Sequence, residues 1–487
     1  MKKVIIVGAG IAGLTASIYA QRSGFDVTLI EQHNKVGGMC TSWRRKGYLF
    51  EGAVHWMTGS SEKAMINRVW KETGALGENV RVLLSDPFRS VEHEGQVLNF
   101  FRDIDKTVAH LSDISPEDRP RLQQLAKDVK KMSKMQLPVF DVVGVRAENP
   151  AKMTFGYFAT LISLLPTFSR IGKMSSEEYM EQFSHPGIRR LLKIAPEGFD
   201  ASSLLFTLGT LHSGDGGYPE GGSLPMVDRM AKTFTDLGGT LRLKTKVRRV
   251  IINNGAATGV ELENETLEAD AVIVAQETIA ALDNLFSKPL SEEWLTDLQR
   301  STKFAVCTFA CVGIRAEIPK TPAWKLNEPI RFAGRTIDEL DFNNYAGHEG
   351  YAPKGCTALT TIFMGDTYDF WKQAKAEGRY EQEKESLSEQ INREITQKYP
   401  QAEGKIEIID IATPLTYERY TGARRGSWMS VKKAGDKMKQ YAGIMKSVKG
   451  LYFAGHRLMT PGGLPVALVS GRTAAQLVCK QFDVMFR

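Results

Sequence analysis

The opening of the chain alternates short apolar runs with a segment of helix length. Val4 to Val7 form the first apolar run, and Val27 to Ile30 form the second. Uninterrupted runs of this length are typical of strands that are buried on both faces, as they are in parallel sheets. The segment between the two runs is long enough for a helix. Residues 4–30 therefore predict a strand, helix, strand unit.

Further along, the pattern changes twice. The segment SVEHEGQVLNFF predicts a hairpin, and residues 103–212 are mostly helical in pattern. Sheet-building sequence then returns, with a helix near Leu224 to Leu237 followed by strands near 241–252, 257–263 and 271–275. We expect this section to rejoin the first domain.

The section from about 301 to 437 is mixed. FAVCTFACVGI, ALTTIFM and KIEIIDIAT predict strands. Leu387, Ile391, Ile395 and Tyr399 repeat every four residues on an otherwise polar segment that Pro400 ends, which predicts an amphipathic helix with one buried stripe. The chain closes with a strand, a loop rich in glycine and proline, and a helix beginning near Leu464.

Glycines punctuate the turn between the first strand and the first helix. Gly8, Gly10 and Gly13 form G-x-G-x-x-G, and Glu31 follows the second strand. In a dinucleotide-binding unit such glycines permit a tight turn, let backbone approach a pyrophosphate, and let the helix pack on the strand. The acid binds a ribose hydroxyl. The first 31 residues therefore predict a dinucleotide site rather than an ordinary turn or a signal peptide.

A second group of glycines follows Glu31. Gly37 and Gly38 form another turn of small residues, and three further glycines punctuate the segment up to Gly59. This density predicts backbone that passes close to a large flat ligand. His55 and Trp56 come directly after the turn, and we select them as candidates to face that ligand.

Composition narrows the function classes. The 487 residues carry a net charge of only +7 without a long run of like charge, so nucleic acid binding is not expected. Five cysteines without C-x-x-C or zinc-like spacing indicate reduced thiols, a cytoplasmic protein and no metal site. Residues 153–174 are the most apolar long stretch; they predict either a core helix or an interfacial helix that makes peripheral contact with a membrane, most directly through 153–170.

Separated blocks of the sequence resemble one family. They are GAGIAGLTASIYAQRSGFDVTLIE, VGGMCTSWRRKGYLFEGAVH, YPEGGSLPMVDRMAKTFTDLGGTLRLKTKVRRV, TPLTYERYTGARRGSW and LYFAGHRLMTPGGLPVALVSGRTAA. The chain resembles the FAD-dependent phytoene desaturase, carotenoid isomerase and retinol saturase group, a branch of the amine oxidase superfamily. The resemblance implies an α/β fold in which a Rossmann-type FAD domain with a parallel sheet is discontinuous in sequence and accompanies an α+β substrate domain.

The resemblance also implies domain boundaries and FAD contacts. We expect 1–88, 214–300 and 438–487 to form the FAD domain, and 89–213 with 301–437 to form the substrate domain. His456 departs from the family pattern, because many relatives carry an acid there. The expected FAD-contacting residues are Gly8, Gly10, Ile11, Ala12, Gly13, Glu31, Gly37, Gly38, Met39, Val54, His55, Val247, Ala275, Gly455, His456, Gly463, Leu464 and Pro465.

The resemblance finally implies a reaction. Hydride exchange with flavin N5 would desaturate, saturate or isomerise a carbon–carbon bond of a lipophilic polyene or isoprenoid. A quinone, dioxygen or NAD(P)H is expected as the electron partner. We expect His55 and Trp56 to act at the flavin, with Arg425 and Trp428 as weaker candidates. A flavin amine oxidase acting on C–N bonds and a non-catalytic flavoprotein are the alternatives.

Overall fold

The protein is described by a computed structural model that covers residues 1–151, 155–194 and 198–487. The helices in this part of the chain are α1 (Ile11–Arg22), α2 (Asn67–Glu72), α3 (Ile104–Ile114), α4 (Arg119–Met132), α5 (Phe155–Ile171), α6 (Ser176–Met180), α7 (Pro186–Leu192), α8 (Ala201–His212), α9 (Ser223–Asp236), α10 (Thr278–Asn284), α11 (Glu293–Ser301), α12 (Tyr368–Ala376), α13 (Tyr380–Lys398), α14 (Pro414–Thr421) and α15 (Leu464–Phe482).

The strands in the same part of the chain form several sheets. They are β1 (Lys3–Val7), β2 (Asp26–Ile30), β3 (Ser42–Arg45), β4 (Tyr48–Glu51), β5 (Val82–Leu83), β6 (Arg89–His93), β7 (Gln96–Phe100), β8 (Tyr218–Pro219), β9 (Thr240–Arg242), β10 (Arg249–Asn253), β11 (Ala256–Glu261), β12 (Thr266–Glu268), β13 (Ala271–Val274), β14 (Phe304–Ala305), β15 (Cys307–Ile314), β16 (Trp324–Phe332), β17 (Arg335–Leu340), β18 (Asn343–Asn344), β19 (Thr357–Met364), β20 (Ile406–Ala412), β21 (Met429–Ser430) and β22 (Leu451–Phe453).

A parallel sheet organises the first layer of the molecule. Its strand order is β22-β13-β1-β2-β9, and every neighbouring pair is parallel. Val4 lies opposite Val27 on one side and Ala271 on the other. Strands that are apolar on both faces require cover on both faces, which explains why these runs assemble into a central sheet. The predicted α/β fold with a parallel sheet is confirmed.

Helices α1 and α15 cross one another closely on one face of this sheet. A Cβ placed on Gly471 would lie 2.3 Å from the carbonyl oxygen of Ala12, so only glycine permits this approach. Each helix is preceded by a glycine. Gly10, after β1, precedes α1, and Gly463, in the loop after β22, precedes α15. The two helix N-termini are therefore held in one packed unit.

A second layer is antiparallel. Strands β18, β19, β15 and β20 form one sheet, and the predicted stripe of α13 is buried, with Leu387, Ile391 and Ile395 fully inaccessible. A separate apolar core joins helices α3, α4, α7 and α8. The predicted hairpin corresponds to β6 and β7.

Residues 62–80 contain the short helix α2, with turns on both sides. The apolar stretch 153–174 forms α5 from Phe155, whereas residues 153 and 154 lie outside the described residues. Among the described helices, none is both long and apolar enough to cross a membrane.

Candidate active site

The turn after β1 is built by close backbone contacts and leaves space at the N-terminus of α1. Gly8 has a positive φ of 100°, and a Cβ on Gly13 would lie 1.9 Å from the Gly8 carbonyl oxygen. Gly10 differs from Gly13, because the atom nearest to a Cβ placed on Gly10 would be the Gly37 carbonyl oxygen, 3.8 Å away. Gly13 therefore serves helix packing, whereas Gly10 leaves open space beside the N-terminus of α1.

Glu31 is fixed beside this turn. Its carboxylate accepts the backbone N–H of Ala9 at 2.9 Å and that of His33 at 3.0 Å. The side chain is buried, and a carboxylate retains lone pairs after two such bonds. Glu31 thus keeps the acceptor capacity that the predicted contact with a ribose hydroxyl needs.

The second glycine turn packs directly on the first. The Gly37 N–H donates to the Ala9 carbonyl at 2.8 Å, and a Cβ on Gly37 would lie 2.3 Å from the Cys40 oxygen. Gly38 approaches the Cα of Gly10 so closely that its Cβ would lie 3.4 Å away. Backbone, not side chain, therefore forms this part of the wall.

One cavity of about 2660 Å³ joins these turns to the rest of the predicted site. Gly13 and Arg425 are the predicted residues that do not line it. The predicted residues on its wall are Gly8, Gly10, Ile11, Ala12, Glu31, Gly37, Gly38, Met39, Val54, His55, Trp56, Val247, Ala275, Trp428, Gly455, His456, Gly463, Leu464 and Pro465. The structure thus brings together segments that lie more than 400 residues apart.

His55 lies on the cavity wall as a neutral ring. Burial lowers its pKa to about 4. The side-chain amide of Asn343 lies 3.1 Å from His55 Nδ1, and the ring of Phe309 lies 6.4 Å away between centroids. A neutral, hydrogen-bonded imidazole can hold or move a proton near a bound ligand.

Glu51 supports the segment that carries His55. It is fully buried and accepts N–H bonds from Ala53 at 3.0 Å, Val54 at 3.1 Å and Ser223 at 2.8 Å, while the hydroxyl of Tyr218 donates to it at 3.1 Å. Burial raises the pKa of Glu51. This network fixes the backbone from β4 to His55 against the start of α9.

The two tryptophans differ in surroundings. Trp56 meets Phe88 edge to face at 5.8 Å, and both rings line the cavity. Trp428 also lines it, and its indole Nε1 has no hydrogen-bond partner within the described residues. Such a buried donor costs roughly 1–3 kcal/mol while it remains unpaired, so a ligand that accepts from it gains affinity.

Arg425 is placed elsewhere. Its guanidinium pairs with Asp366 at 3.0 Å and Asp369 at 2.8 Å and lies over the ring of Tyr368. The residue has a positive φ of 58°. The interactions available to it are therefore structural ones outside the cavity, and we do not assign it a role in chemistry.

The chain matches one protein family over most of its length. The family described as "Flavin containing amine oxidoreductase" matches residues 11–479. This chain belongs to that family. The all-trans-retinol 13,14-reductase of Danio rerio is 22% identical over 96% of this chain and 85% of its own length. A lycopene-forming phytoene desaturase of Pseudescherichia vulneris is 22% identical over 99% of this chain and 100% of its own length.

A solved structure shares the fold over nearly the whole chain. An oxidoreductase from Methanosarcina mazei matches with a TM-score of 0.59 and 16% identity, covering 98% of this chain and 100% of that one. As a member of the flavin-containing amine oxidoreductase family, the protein is an FAD-dependent oxidoreductase. The predicted enzyme class and cofactor are confirmed.

The residues of this family member fit FAD. On the cavity wall near Trp428, Thr278 Oγ1 and His456 Nδ1 are also buried atoms without a hydrogen-bond partner among the described residues. Burial, together with the charge of Arg457, lowers the pKa of His456, so its ring is neutral. A neutral imidazole forms hydrogen bonds to ribityl hydroxyls or phosphate without the repulsion that an acid would introduce beside phosphate.

Sequence reasoning missed several residues of this site. They are Asn343 on β18, Phe309 on β15 and Thr278 at the start of α10, and of these three elements only the strand with Phe309 was predicted. Their place on the wall depends on tertiary contacts, such as the one between His55 and Asn343, which are 288 positions apart. Glu51 carried a weak signal, as an acid at the end of an apolar strand beside a glycine.

Proposed function

We propose that this enzyme forms, removes or shifts a carbon–carbon double bond in a lipophilic polyene or isoprenoid. The observation that carries the proposal is the cavity of about 2660 Å³, which joins the glycine turns to an apolar and aromatic wall. Pockets for one ligand usually measure about 300–1,000 Å³, so this volume suits FAD together with a long second molecule. Two relatives bear names that concern retinol and phytoene.

One group of cavity residues is assigned to FAD and another to the substrate. When bound, FAD supplies the capacity to accept or donate a hydride at a carbon centre. The two glycine turns and Glu31 would hold its adenosine and diphosphate portion, and residues 455–465 would hold the ribityl and ring portion. Trp56, Phe88 and Phe309 line an apolar wall that excludes water and aligns a flat substrate.

His55 is our candidate for proton handling. Adding or removing a double bond transfers one proton for each hydride, and a neutral imidazole fixed by Asn343 can carry that proton. His55→Ala should reduce turnover by about 10²-fold or more while FAD content per protein stays near that of the wild type. Turnover that remains unchanged in this variant would remove His55 from the mechanism.

The turnover assay also identifies the electron partner. A quinone, dioxygen and NAD(P)H are the three candidates, and each is supplied in turn as the sole partner during turnover. An isomerisation needs none of them in stoichiometric amount. The partner that sustains turnover at the highest rate is assigned.

Peripheral contact with a membrane would explain how a lipophilic substrate enters. Phe158, Ile162 and Leu165 recur at i, i+4 and i+7 on α5 and are 51%, 66% and 59% exposed. On the same helix, Tyr157 and Leu161 line the cavity. A single helix thus separates an exposed apolar stripe from the substrate space, which suits an interfacial helix.

Mass spectrometry of an organic extract of the purified protein tests the proposal. FAD accompanied by a polyene or isoprenoid is the expected result, and an unrelated flavoprotein purified in parallel serves as the control. FAD alone, with hydrogen peroxide released from simple amines, would instead favour C–N oxidation. A folded sample without FAD would overturn the cofactor assignment.

A further inference from the structure

A group of charged side chains lines another stretch of the same cavity. We call it the polar end cluster; it consists of Arg89, Arg190, Lys320, Lys325, Glu339 and Asp341. These residues belong to β6, α7, β16, β17 and the segments beside them, none of which carries a predicted FAD contact. The cluster therefore belongs to the substrate side of the cavity.

The carboxylates of the cluster are already paired. Glu339 binds Arg89 at 3.0 Å and also binds Arg190, and Asp341 binds Arg89 at 2.9 Å. Arg89 makes further bonds to backbone carbonyls, including that of Lys193 at 2.7 Å. Both carboxylates are thus engaged in ion pairs with the two arginines and hold these arginines in place.

Positive charge remains after this pairing. Lys320 and Lys325 are exposed and make no ion pair or side-chain hydrogen bond within the described residues, and Arg190 Nη2 has no partner either. Lys193 and Asp338, which also line the cavity, carry opposite charges and leave the sign of this balance unchanged. The cluster as a whole therefore presents more cationic than anionic side chains to the cavity.

The cluster lies next to the candidate reactive residues in the chain. Arg89 directly follows Phe88, which packs on Trp56, and Asp341 precedes Asn343, the partner of His55, by two positions. Two residues span at most about 7 Å of extended chain. A ligand group at the cluster would thus lie close to the part of the substrate that His55 reaches.

We infer that the polar end cluster binds an anionic end group, such as a carboxylate, of an otherwise apolar substrate. The substrate is then an amphiphile whose reacting bond lies in the part of the chain near its acidic end. Unpaired lysines and an arginine donor recognise such a group by charge-assisted hydrogen bonds. This inference rests on the proposed function, because it specifies the substrate of that site.

Binding of matched probes to the FAD-loaded full chain tests the inference. Geranylgeranoic acid and geranylgeraniol share one hydrocarbon skeleton and differ in the end group, and quenching of tryptophan fluorescence reports their Kd values. The acid should bind about tenfold more tightly than the alcohol, which corresponds to about 1.4 kcal/mol.

The variant K320Q/K325Q should lose most of this preference, whereas K405Q, which removes an exposed lysine that does not line the cavity, should keep it. Both cluster lysines are exposed, so their replacement leaves the core intact. Acid and alcohol affinities within about twofold of each other in the wild type, or a tenfold preference kept by K320Q/K325Q, would overturn the inference.

The same samples distinguish this failure from failure of the proposed function. Product analysis follows whether a carbon–carbon bond of either probe changes. Conversion of both probes at equal affinity overturns the end-group inference and keeps the proposed function. Selective binding of the acid without any carbon–carbon conversion of any polyene overturns the proposed function and keeps the anion site.

Discussion

At the scale of single residues, the glycines of the first turn have different tasks. Gly13 meets the Gly8 carbonyl, whereas Gly10 faces open space. The motif indicated the diphosphate site from sequence because its spacing is fixed by local backbone geometry. It did not indicate which glycine serves the fold and which serves the ligand, because that distinction depends on neighbouring segments such as the Gly37 turn.

Alanine substitutions separate these two tasks. Gly10→Ala should fold with the thermal stability of the wild-type apoprotein, since its Cβ meets no protein atom closer than 3.8 Å, yet bind FAD at least tenfold more weakly, a loss of about 1.4 kcal/mol. Gly13→Ala should destabilise the fold itself, because its Cβ would lie 1.9 Å from a carbonyl oxygen. Thermal unfolding of the apoproteins and FAD titration measure both effects. Equal stability of the two variants would contradict the assignment.

At the scale of elements, a buried ion pair joins the loop after β22 to the start of α10. Arg457 Nε lies 2.8 Å from Glu277, and their side chains are 1% and 4% exposed. Arg457 also donates to the hydroxyls of Ser427 and Ser430 beside β21. The pair therefore ties three segments of the cavity wall together. Sequence reasoning could not find it, because the two residues lie 180 positions apart.

Removing the cation of this pair should be costly. Arg457→Met leaves Glu277 buried without its partner and should lower the free energy of unfolding by about 3–5 kcal/mol. R457M/E277Q should recover part of the loss. The control is Arg424→Met, which breaks a pair with Asp283 whose side chains are both 50% exposed, and it should cost at most about 1 kcal/mol. Urea unfolding that gave equal losses for Arg457→Met and Arg424→Met would refute the role of the buried pair.

Helix α5 shows how far the sequence pattern carries. Its apolar composition predicted a core helix or an interfacial helix, and the structure buries Leu164 while it exposes Ile162 and Leu165. Both descriptions apply to different faces of one helix. Only the structure could assign the faces, because nearly all positions of this stretch are apolar or small and the periodic signal is weak.

The exposed face of α5 should bind lipid. I162E/L165E should reduce flotation with anionic liposomes to a small fraction of the wild-type level, because it places two charges on the apolar stripe. V97E/L237E adds the same charge at exposed apolar positions on β7 and after α9, and it should float like the wild type. Equal flotation of the two double variants would exclude α5 as the contact.

At the scale of the whole molecule, the cavity is built by segments from both ends and the middle of the chain. The strands of the parallel sheet lie far apart in the sequence, from β1, which begins at Lys3, to β22, which ends at Phe453. The separated apolar runs and glycine turns indicated this arrangement. The domain boundaries at 88, 213, 300 and 437 stay a prediction. The shape of the substrate space could not be predicted, since it arises from helices and antiparallel strands whose local patterns specify only their own buried faces.

The central claim is carbon–carbon bond chemistry with FAD, and anaerobic single turnover tests it most directly. FAD-loaded protein, oxidised in one sample and chemically reduced in another, is mixed with a polyene or isoprenoid while flavin absorbance and product mass are recorded together. We expect the double bonds of the polyene to change in number or geometry, with matching oxidation or reduction of the flavin unless the change is an isomerisation. Flavin that is inert to every such compound but reduced by simple amines would contradict it.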